Sequence, residues 1–233
     1  SPDAEIAKIG HWSFCYLPCT LTVMNPHDLP VYQQKDRIVS ALQHNQVVVV
    51  ESPTGSGKTT QIPLILYEAG FAREGMIGVT QPRRIAAVSV SEYISRQVTH
   101  EAEGFVAYKM RFDDHTRTDT RIKVMTDGIL LQELKADPML SRYNIVMVDE
   151  AHERSLNIDF VLGLLKRVLE QRSEFKVVVS SATINPDIFS QYFDSAPVVS
   201  IDTPTYPVTV IYDPPEIEND REALVNKITA IVG

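Results

Sequence analysis

The sequence predicts an α/β fold, in which a mostly parallel sheet is covered by helices on both faces. Short apolar runs, such as the four valines at 47–50, alternate along the chain with stretches that have the apolar spacing of amphipathic helices. The run at 47–50 is β-branched and apolar throughout, which is typical of a strand buried on both faces. In such sheets the ligand sites lie at the carboxyl ends of the strands.

The predicted elements follow one another from residue 31 to residue 201. The first helix, 31–44, is predicted from an apolar stripe that contains Ile38, Val39, Ala41 and Leu42. Further helices are predicted over 58–70, 85–98, 127–134 and 160–171. The apolar runs predict strands over 47–50, 76–80, 105–110, 122–126, 145–149, 176–181 and 197–201.

The sequence divides into three predicted regions. Residues 1–30 have no clear periodicity and contain several prolines, so we interpret them as an N-terminal extension. Residues 31–203 form the main domain. Residues 204–233 contain further prolines, a short strand pattern at 208–212, an acidic stretch and the start of an amphipathic helix. This last region is typical of a linker that leads into a second domain.

Composition restricts the class of partner. The chain has 233 residues and a net charge of −8, which argues against a protein that binds nucleic acid by bulk electrostatic attraction. It still allows contact with a few phosphates through backbone amides and arginines. Since no apolar run approaches the ~20 residues that span a bilayer, we expect no membrane partner.

Cysteine usage gives an expectation about the compartment. Cys15 and Cys19 are the two cysteines of the chain, too few for a disulfide framework. With His11 they could supply three zinc ligands, but a structural zinc site takes four, so we favour ordinary apolar packing. A reducing, intracellular setting fits, and we expect the cytoplasm, with the nucleus as the alternative.

The stretch ESPTGSGKTT, residues 51–60, indicates a phosphate-binding loop between a strand and a helix. Gly55 and Gly57 allow backbone amides to converge on phosphate oxygens. Lys58 can reach the outer phosphates, and the Thr59 hydroxyl can ligate Mg²⁺. The usual first glycine is replaced by Ser52, and the alternative is a turn without a ligand. The predicted nucleotide-binding residues of this loop are Ser52, Pro53, Thr54, Gly55, Ser56, Gly57, Lys58, Thr59 and Thr60.

A pair of acids, Asp149 and Glu150, ends the apolar run IVMV within IVMVDEAH, residues 145–152. Phosphoryl transfer needs one acid to hold Mg²⁺ and a second group to orient or deprotonate the attacking water. Asp149 suits the first role and Glu150 the second. The alternative, two surface acids that open a turn, is disfavoured because GSGKTT precedes the pair in the same alternation of strands and helices.

Five short motifs follow one another along the chain: GSGKTT (55–60), TQPRR (80–84), TDG (126–128), DEAH (149–152) and SAT (181–183). In this order they resemble the first RecA-like domain of the DEAH-box helicases of superfamily two. The flanks VAYKMRF (106–112), IKVMTDGILLQEL (122–134) and DEAHERSLNIDFVLGLLK (149–166) are similar too, so the resemblance covers most of residues 31–212. It implies a RecA-like P-loop NTPase domain over 31–203, with ATP or another NTP and Mg²⁺ as cofactors.

The resemblance also implies roles for individual residues. Lys58, Glu150 and His152 would be catalytic, and His152 would couple the site to a partner domain. Thr59, Asp149 and Glu150 would serve the metal. The coupling motif would be Ser181, Ala182 and Thr183, and the nucleic-acid backbone would be contacted by Thr80, Gln81, Arg83, Arg84, Thr126, Asp127 and Gly128. Tyr93 stands where the family often has an arginine that stacks on the base, and we expect Tyr93 to bind the nucleotide by stacking on the base in its place.

The function that the resemblance implies is that of an ATP-dependent RNA helicase, which couples Mg-ATP hydrolysis to movement on single-stranded RNA and to duplex remodelling. Residues 204–233 would then be a linker and the start of a truncated second RecA-like domain, which supplies arginine fingers in the family. We therefore expect this chain alone to bind nucleotide weakly, to hydrolyse it poorly and not to unwind. A protein activator is a further possible partner.

Two other functions remain open. One is a DNA-directed motor of the same superfamily, since backbone contacts alone do not distinguish RNA from DNA. The other is a nucleotide-responsive module that recruits partners without unwinding. The intact set Lys58, Thr59, Asp149 and Glu150 favours a motor over a binding module.

Overall fold

We analysed a computed structural model of the chain, which describes residues 7–9, 12–14, 26–98, 101–182, 186–202, 225 and 229. The chain divides into two units, one formed by Asn25–Thr203 and the other by Ser1–Met24 with Pro204–Gly233. In the smaller unit, strands β1 (Ala7–Ile9) and β2 (Trp12–Phe14) pair antiparallel, and residues 225 and 229 are helical. His11, Cys15, Cys19 and the strand predicted at 208–212 lie outside the described residues. The predicted extension and linker stay predictions.

The larger unit is built on an eight-stranded sheet. The strands follow the order β10-β3-β9-β8-β4-β7-β5-β6, and every neighbouring pair is parallel except β5 and β6. This confirms the predicted α/β class with a mostly parallel sheet. The strands are β3 (Val47–Glu51), β4 (Met76–Gln81), β5 (Val106–Met110), β6 (Asp113–Asp114), β7 (Ile122–Thr126), β8 (Tyr143–Val148), β9 (Lys176–Ser181) and β10 (Val198–Ser200).

Helices cover both faces of this sheet. Within β3, Val48 and Val50 pack into the core on one face, while Val47 and Val49 pack into the core on the other. Because successive side chains of a strand point to opposite faces, a run of four valines is what a doubly covered strand requires. The helices are α1 (Pro30–Gln33), α2 (Lys35–His44), α3 (Lys58–Glu68), α4 (Arg84–Gln97), α5 (Asp127–Ala136), α6 (Leu156–Gln171) and α7 (Asp187–Tyr192).

Some element boundaries differ from the sequence prediction. The helix predicted over 31–44 is divided at Gln34 into α1 and α2. Helix α6 begins at Leu156, ahead of the predicted residue 160, because the Ser155 side chain caps it by accepting a hydrogen bond from the Ile158 N–H at 3.2 Å. Strand β6 and helix α7 are short elements that the sequence pattern did not predict. Among the described helices, none is both long and apolar enough to cross a membrane.

A buried ion pair attaches α5 to the sheet. Lys123 of β7 is 2% exposed, and its Nζ lies 2.5 Å from Oε1 of Glu133. Lys109 Nζ lies 3.2 Å from the same oxygen, and the Tyr143 hydroxyl donates to Glu133 Oε2. Burial lowers the pKa of Lys123. The carboxylate of Glu133 is thus surrounded by three donors, which hold the helix that follows TDG against β7 and β8.

We predict that Lys123→Met destabilises the fold by about 3 kcal/mol, because it leaves Glu133 buried without its closest cation. Chemical denaturation measures the free energy of unfolding. The double variant Lys123→Met/Glu133→Gln is the control, since it removes the charge together with its partner, and it should recover part of the loss. A single variant as stable as the unsubstituted chain would contradict a structural role for the pair.

Candidate active site

The parallel sheet brings the predicted motifs to one edge. The loop that contains GSGKTT follows β3, and the motifs TQPRR, TDG and SAT begin within the last residues of β4, β7 and β9. Asp149 of DEAH comes directly after β8. Since neighbouring strands run in the same direction, all five motifs lie at the carboxyl edge of the sheet, where ligands bind in this class of fold.

The loop after β3 forms a cradle at the start of α3. Gly55 and Gly57 have φ angles of 82° and 90°, in the region that favours glycine. A Cβ atom on Gly57 would also lie 2.9 Å from Leu29 Cδ1, so that position excludes a side chain by space as well as by conformation. The cradle encloses a cavity of about 250 Å³, lined by Thr54, Gly55, Ser56, Gly57, Lys58, Thr59, Thr60 and Glu150.

Lys58 spans the loop from the first turn of α3. Its side chain is buried, and Nζ donates to the carbonyl oxygens of Ser52, at 2.8 Å, and Pro53, at 3.4 Å. The ammonium group therefore lies inside the cradle, where its hydrogen-bond acceptors among the described residues are these two neutral carbonyls. A buried cation of this kind, beside the N-terminus of a helix, is suited to an anionic ligand such as a phosphate group.

Ser52 does not need to be glycine. Its φ is not among the positive values of the described residues, and its N–H donates to the Ser181 carbonyl at 3.2 Å. Ser52 directly follows β3 and is fully buried. Its hydrogen bond to Ser181 links the cradle to the end of β9. The backbone conformations that only glycine adopts readily occur at Gly55 and Gly57 instead.

Asp149 lies at the centre of the site and is fully buried. Its Oδ2 accepts two hydrogen bonds at 2.6 Å, one from the Thr59 hydroxyl and one from the Gln81 amide. Its Oδ1 has no hydrogen-bond partner among the described residues. An ionised oxygen without a partner in a buried setting is costly unless a cation compensates it. The orphaned oxygen, the nearby hydroxyl and the cradle therefore fit a magnesium–nucleotide complex.

Glu150 faces the cavity from a strained backbone. Its φ of 51° and ψ of 36° are left-handed, which is uncommon for a residue with a side chain. Burial raises the pKa of Glu150, as does the charge of Asp149, while Lys58 and His152 act in the opposite direction. A carboxyl group with a raised pKa beside a phosphate cradle is placed to accept a proton from water.

His152 connects the acid pair to the end of β9. Its Nδ1 accepts the Ala182 N–H at 3.1 Å, and its Nε2 lies 3.3 Å from Oε2 of Glu150. The hydrogen bond from Ala182 therefore fixes the orientation of the imidazole ring, with Nε2 facing Glu150. The neighbouring Ser181 hydroxyl donates to the Ala182 carbonyl at 2.8 Å. Thr183, the third residue of SAT, lies outside the described residues.

The residues predicted to contact nucleic acid fall into two groups. Arg83 and Arg84 are exposed, and Arg83 forms an ion pair with Glu153 at 3.5 Å. Thr126 and Gly128 are half-buried. The side chains of Thr80, Gln81 and Asp127 are buried, so a contact with a strand at these positions would have to use the backbone; their role stays a prediction.

Tyr93 lies apart from the phosphate cavity. It is 40% exposed on α4 and is not among the residues that line the cavity. Base stacking by Tyr93 therefore stays a prediction.

The contact that sequence reasoning missed is the one between Gln81 and Asp149. Strand β4 pairs with β8 so that Thr80 lies opposite Val148, which brings the next residues, Gln81 and Asp149, close together. This register is the signal that could have revealed the contact.

The comparison with known families decides the class. The model of the DEAD/DEAH box helicase family matches residues 32–190, more than half of the chain. The chain belongs to the DEAD/DEAH box helicase family. Together with the order of the motifs and the mostly parallel sheet, this confirms the predicted first RecA-like domain of a DEAH-box helicase of superfamily two.

Named relatives of this helicase domain occur in bacteria and in humans. It is 56% identical over 209 residues, or 90% of the chain, to the ATP-dependent RNA helicase HrpA of Borreliella burgdorferi. Identity is 49% over 81% of the chain to HrpA of Escherichia coli, and 44% over 79% of the chain to the human ATP-dependent RNA helicase DHX33. The chain spans 25%, 14% and 27% of the lengths of these three relatives.

Proposed function

We propose that the chain is the ATP-binding domain of an ATP-dependent RNA helicase, which couples Mg-ATP hydrolysis to movement on single-stranded RNA and to duplex remodelling. The observation that carries the proposal is the convergence of Lys58, Thr59 and Glu150 on one cavity at the carboxyl edge of the sheet, with the buried Asp149 hydrogen-bonded to Thr59 behind it. The names of the relatives, which are called ATP-dependent RNA helicases, support RNA as the nucleic acid.

The residues of the cradle divide the chemistry among them. The amides of residues 55–60 and the Lys58 ammonium bind and orient the phosphates. Thr59 and Asp149 would hold Mg²⁺, which neutralises charge on the phosphates when it is bound. Glu150 would accept the proton of the attacking water, and His152, whose Nε2 lies 3.3 Å from Oε2 of Glu150, would contact that carboxylate.

Coupling to movement would use the contacts of His152. The hydrogen bond from Ala182 joins the segment that carries Glu150 to the segment that follows β9, so a change at the cavity displaces both. A second RecA-like domain, joined in the same polypeptide, would receive this displacement and would complete the site with arginines. The exposed Arg83 and Arg84 would hold the RNA backbone.

We place the protein in the cytoplasm or, as the alternative, the nucleus, with a protein activator as a further partner.

Turnover measurements with matched nucleic acids test the proposal. The 233-residue chain should hydrolyse ATP slowly and separate no duplex. A longer protein that joins it to a second RecA-like domain should be stimulated by single-stranded RNA more than by DNA of the same sequence. Equal stimulation by DNA would support the DNA-directed motor instead. Nucleotide-dependent partner binding without turnover would support the binding module.

A further inference from the structure

Gln81 is a buried residue whose side chain contacts the metal-binding acid rather than the surface. It is the last residue of β4 and is 3% exposed. Its Nε2 donates to Asp149 Oδ2 at 2.6 Å. A carboxylate accepts and cannot donate, so the amide nitrogen, not the amide oxygen, must face Asp149. The orientation of the Gln81 amide is therefore fixed by chemistry.

The position of Gln81 is equally constrained by the sheet. Thr80 pairs with Val148 in β8, and Gln81 pairs with Thr126 in β7. Parallel pairing with β7 and with β8 fixes the backbone at the end of β4. Gln81 lies one residue beyond the Thr80–Val148 pair, and Asp149 is the residue that directly follows β8. A donor held in this way acts as a rigid support for the carboxylate.

The two hydrogen bonds on Asp149 leave its oxygens unequal. Oδ2 is held by Gln81 and Thr59, whereas Oδ1 has no partner in the described part of the chain. Rotation of the carboxylate would break the bond from Gln81, which is charge-assisted and therefore among the stronger kinds. Gln81 thus selects which oxygen of Asp149 remains available to a cation.

We infer that Gln81 is a positioning residue, which orients the Asp149 carboxylate for the magnesium–nucleotide complex. The inference rests on the proposed function, because it concerns the same cavity. It gives Gln81 a role inside the nucleotide site that its predicted contact with nucleic acid does not include. Groups that orient a metal-binding side chain typically contribute about 10–100-fold to metal affinity.

The stretch from Gln81 to Arg84 makes a second contact with the segment that follows β8. Two residues after Gln81, Arg83 forms the ion pair with Glu153. This stretch therefore contacts the segment that follows β8 at two points, the buried Asp149 and the exposed Glu153.

Nucleotide binding with and without Mg²⁺ tests the inference. The measured quantity is the ratio of the dissociation constants of a fluorescent ADP in EDTA and in Mg²⁺, for the 233-residue chain. Gln81→Met keeps the length and volume of the side chain but removes its donor. It should reduce this Mg²⁺-dependent gain about tenfold and leave the affinity in EDTA unchanged.

Gln46→Met is the matched control. Gln46 is a half-buried glutamine whose amide nitrogen also donates hydrogen bonds, to the carbonyls of Leu169 and Arg172, but it precedes β3 at the opposite edge of the sheet. It should lower thermal stability without changing the Mg²⁺-dependent gain. If Gln81→Met does not fold, Gln81→Asn, which is one methylene shorter and still polar, takes its place with the same expected direction.

The outcomes separate the two proposals. A full Mg²⁺-dependent gain in a folded Gln81 variant would overturn the positioning role and leave the proposed function intact. An equal loss of affinity in EDTA and in Mg²⁺ would also overturn it, because that result indicates a merely structural role. An unsubstituted chain whose affinity for ADP does not respond to Mg²⁺ would instead overturn the proposed magnesium–nucleotide site and, with it, the role of Gln81.

Discussion

Replacing Lys58 by alanine is expected to weaken nucleotide binding by about a hundredfold, the largest effect on affinity that a single substitution in the cradle should have. The ammonium group is the only cation among the residues that line the described cavity, and charge-assisted hydrogen bonds to phosphate are the strong ones. The substitution also removes the bridges to the Ser52 and Pro53 carbonyls, which hold the loop closed. Titration with a fluorescent ADP in the presence of Mg²⁺ measures the effect.

Ser52→Gly is the control for the Lys58 variant. It restores the glycine that the phosphate-loop pattern usually has at this position, but the structure needs no positive φ there. We therefore expect its affinity to stay within roughly threefold of the unsubstituted chain. Strongly tighter binding by Ser52→Gly would mean that the unusual loop weakens the site. Unchanged binding by Lys58→Ala would contradict the assignment of the cavity to phosphate.

Glu150→Gln is expected to reduce ATP turnover by about a thousandfold while nucleotide affinity is retained, because it removes the proton acceptor but keeps the shape of the side chain. Phosphate release by a longer protein that joins the chain to a second RecA-like domain, measured in the absence of nucleic acid, reports the rate, because the chain alone is expected to hydrolyse ATP slowly. Glu153→Gln is the matched control, since it makes the same chemical change in the same turn on an exposed side chain that does not line the cavity. Unchanged turnover in Glu150→Gln would refute Glu150 as the base.

The raised pKa of Glu150 predicts the pH dependence of the same reaction. A base acts in its deprotonated form, so turnover should fall as the pH decreases through the pKa of Glu150. Because burial and the Asp149 charge raise that pKa, the loss should begin above the ordinary value of 4.5 for glutamate. A pH–rate profile that stays flat down to the ordinary value would contradict the buried position of Glu150.

The carboxyl edge of the sheet, where the motifs lie, could be predicted because the sequence features that define it are local. The valines of β3 and the apolar run of β8 before Asp149 predict two buried strands, which lie on either side of β9 in the parallel sheet, so their carboxyl ends meet at one edge. Gly55 and Gly57 could be assigned because only their backbone conformations require glycine. These features depend on residue type and on position along one strand or loop.

The contacts that the sequence did not predict depend on pairing between distant segments. Gln81 was predicted at the nucleic acid because it belongs to TQPRR, and only the register of β4 against β8 places its amide on Asp149. The bond from Ala182 to His152 joins residues that are 30 positions apart, on two different strand ends. The proline in α3, Pro63, is buried within the helix, and nothing in the structure explains why proline stands there.

The most direct test is a crystal structure of the 233-residue chain with Mg²⁺ and a non-hydrolysable ATP analogue. We predict that the phosphates occupy the cavity after β3, in contact with the amides of residues 55–60 and Lys58, and that the metal lies beside Thr59 and Asp149. The larger cavity between α4 and β5, of about 430 Å³, offers a different place for a ligand. An analogue bound there, with the cradle after β3 empty, would contradict the assignment of the active site.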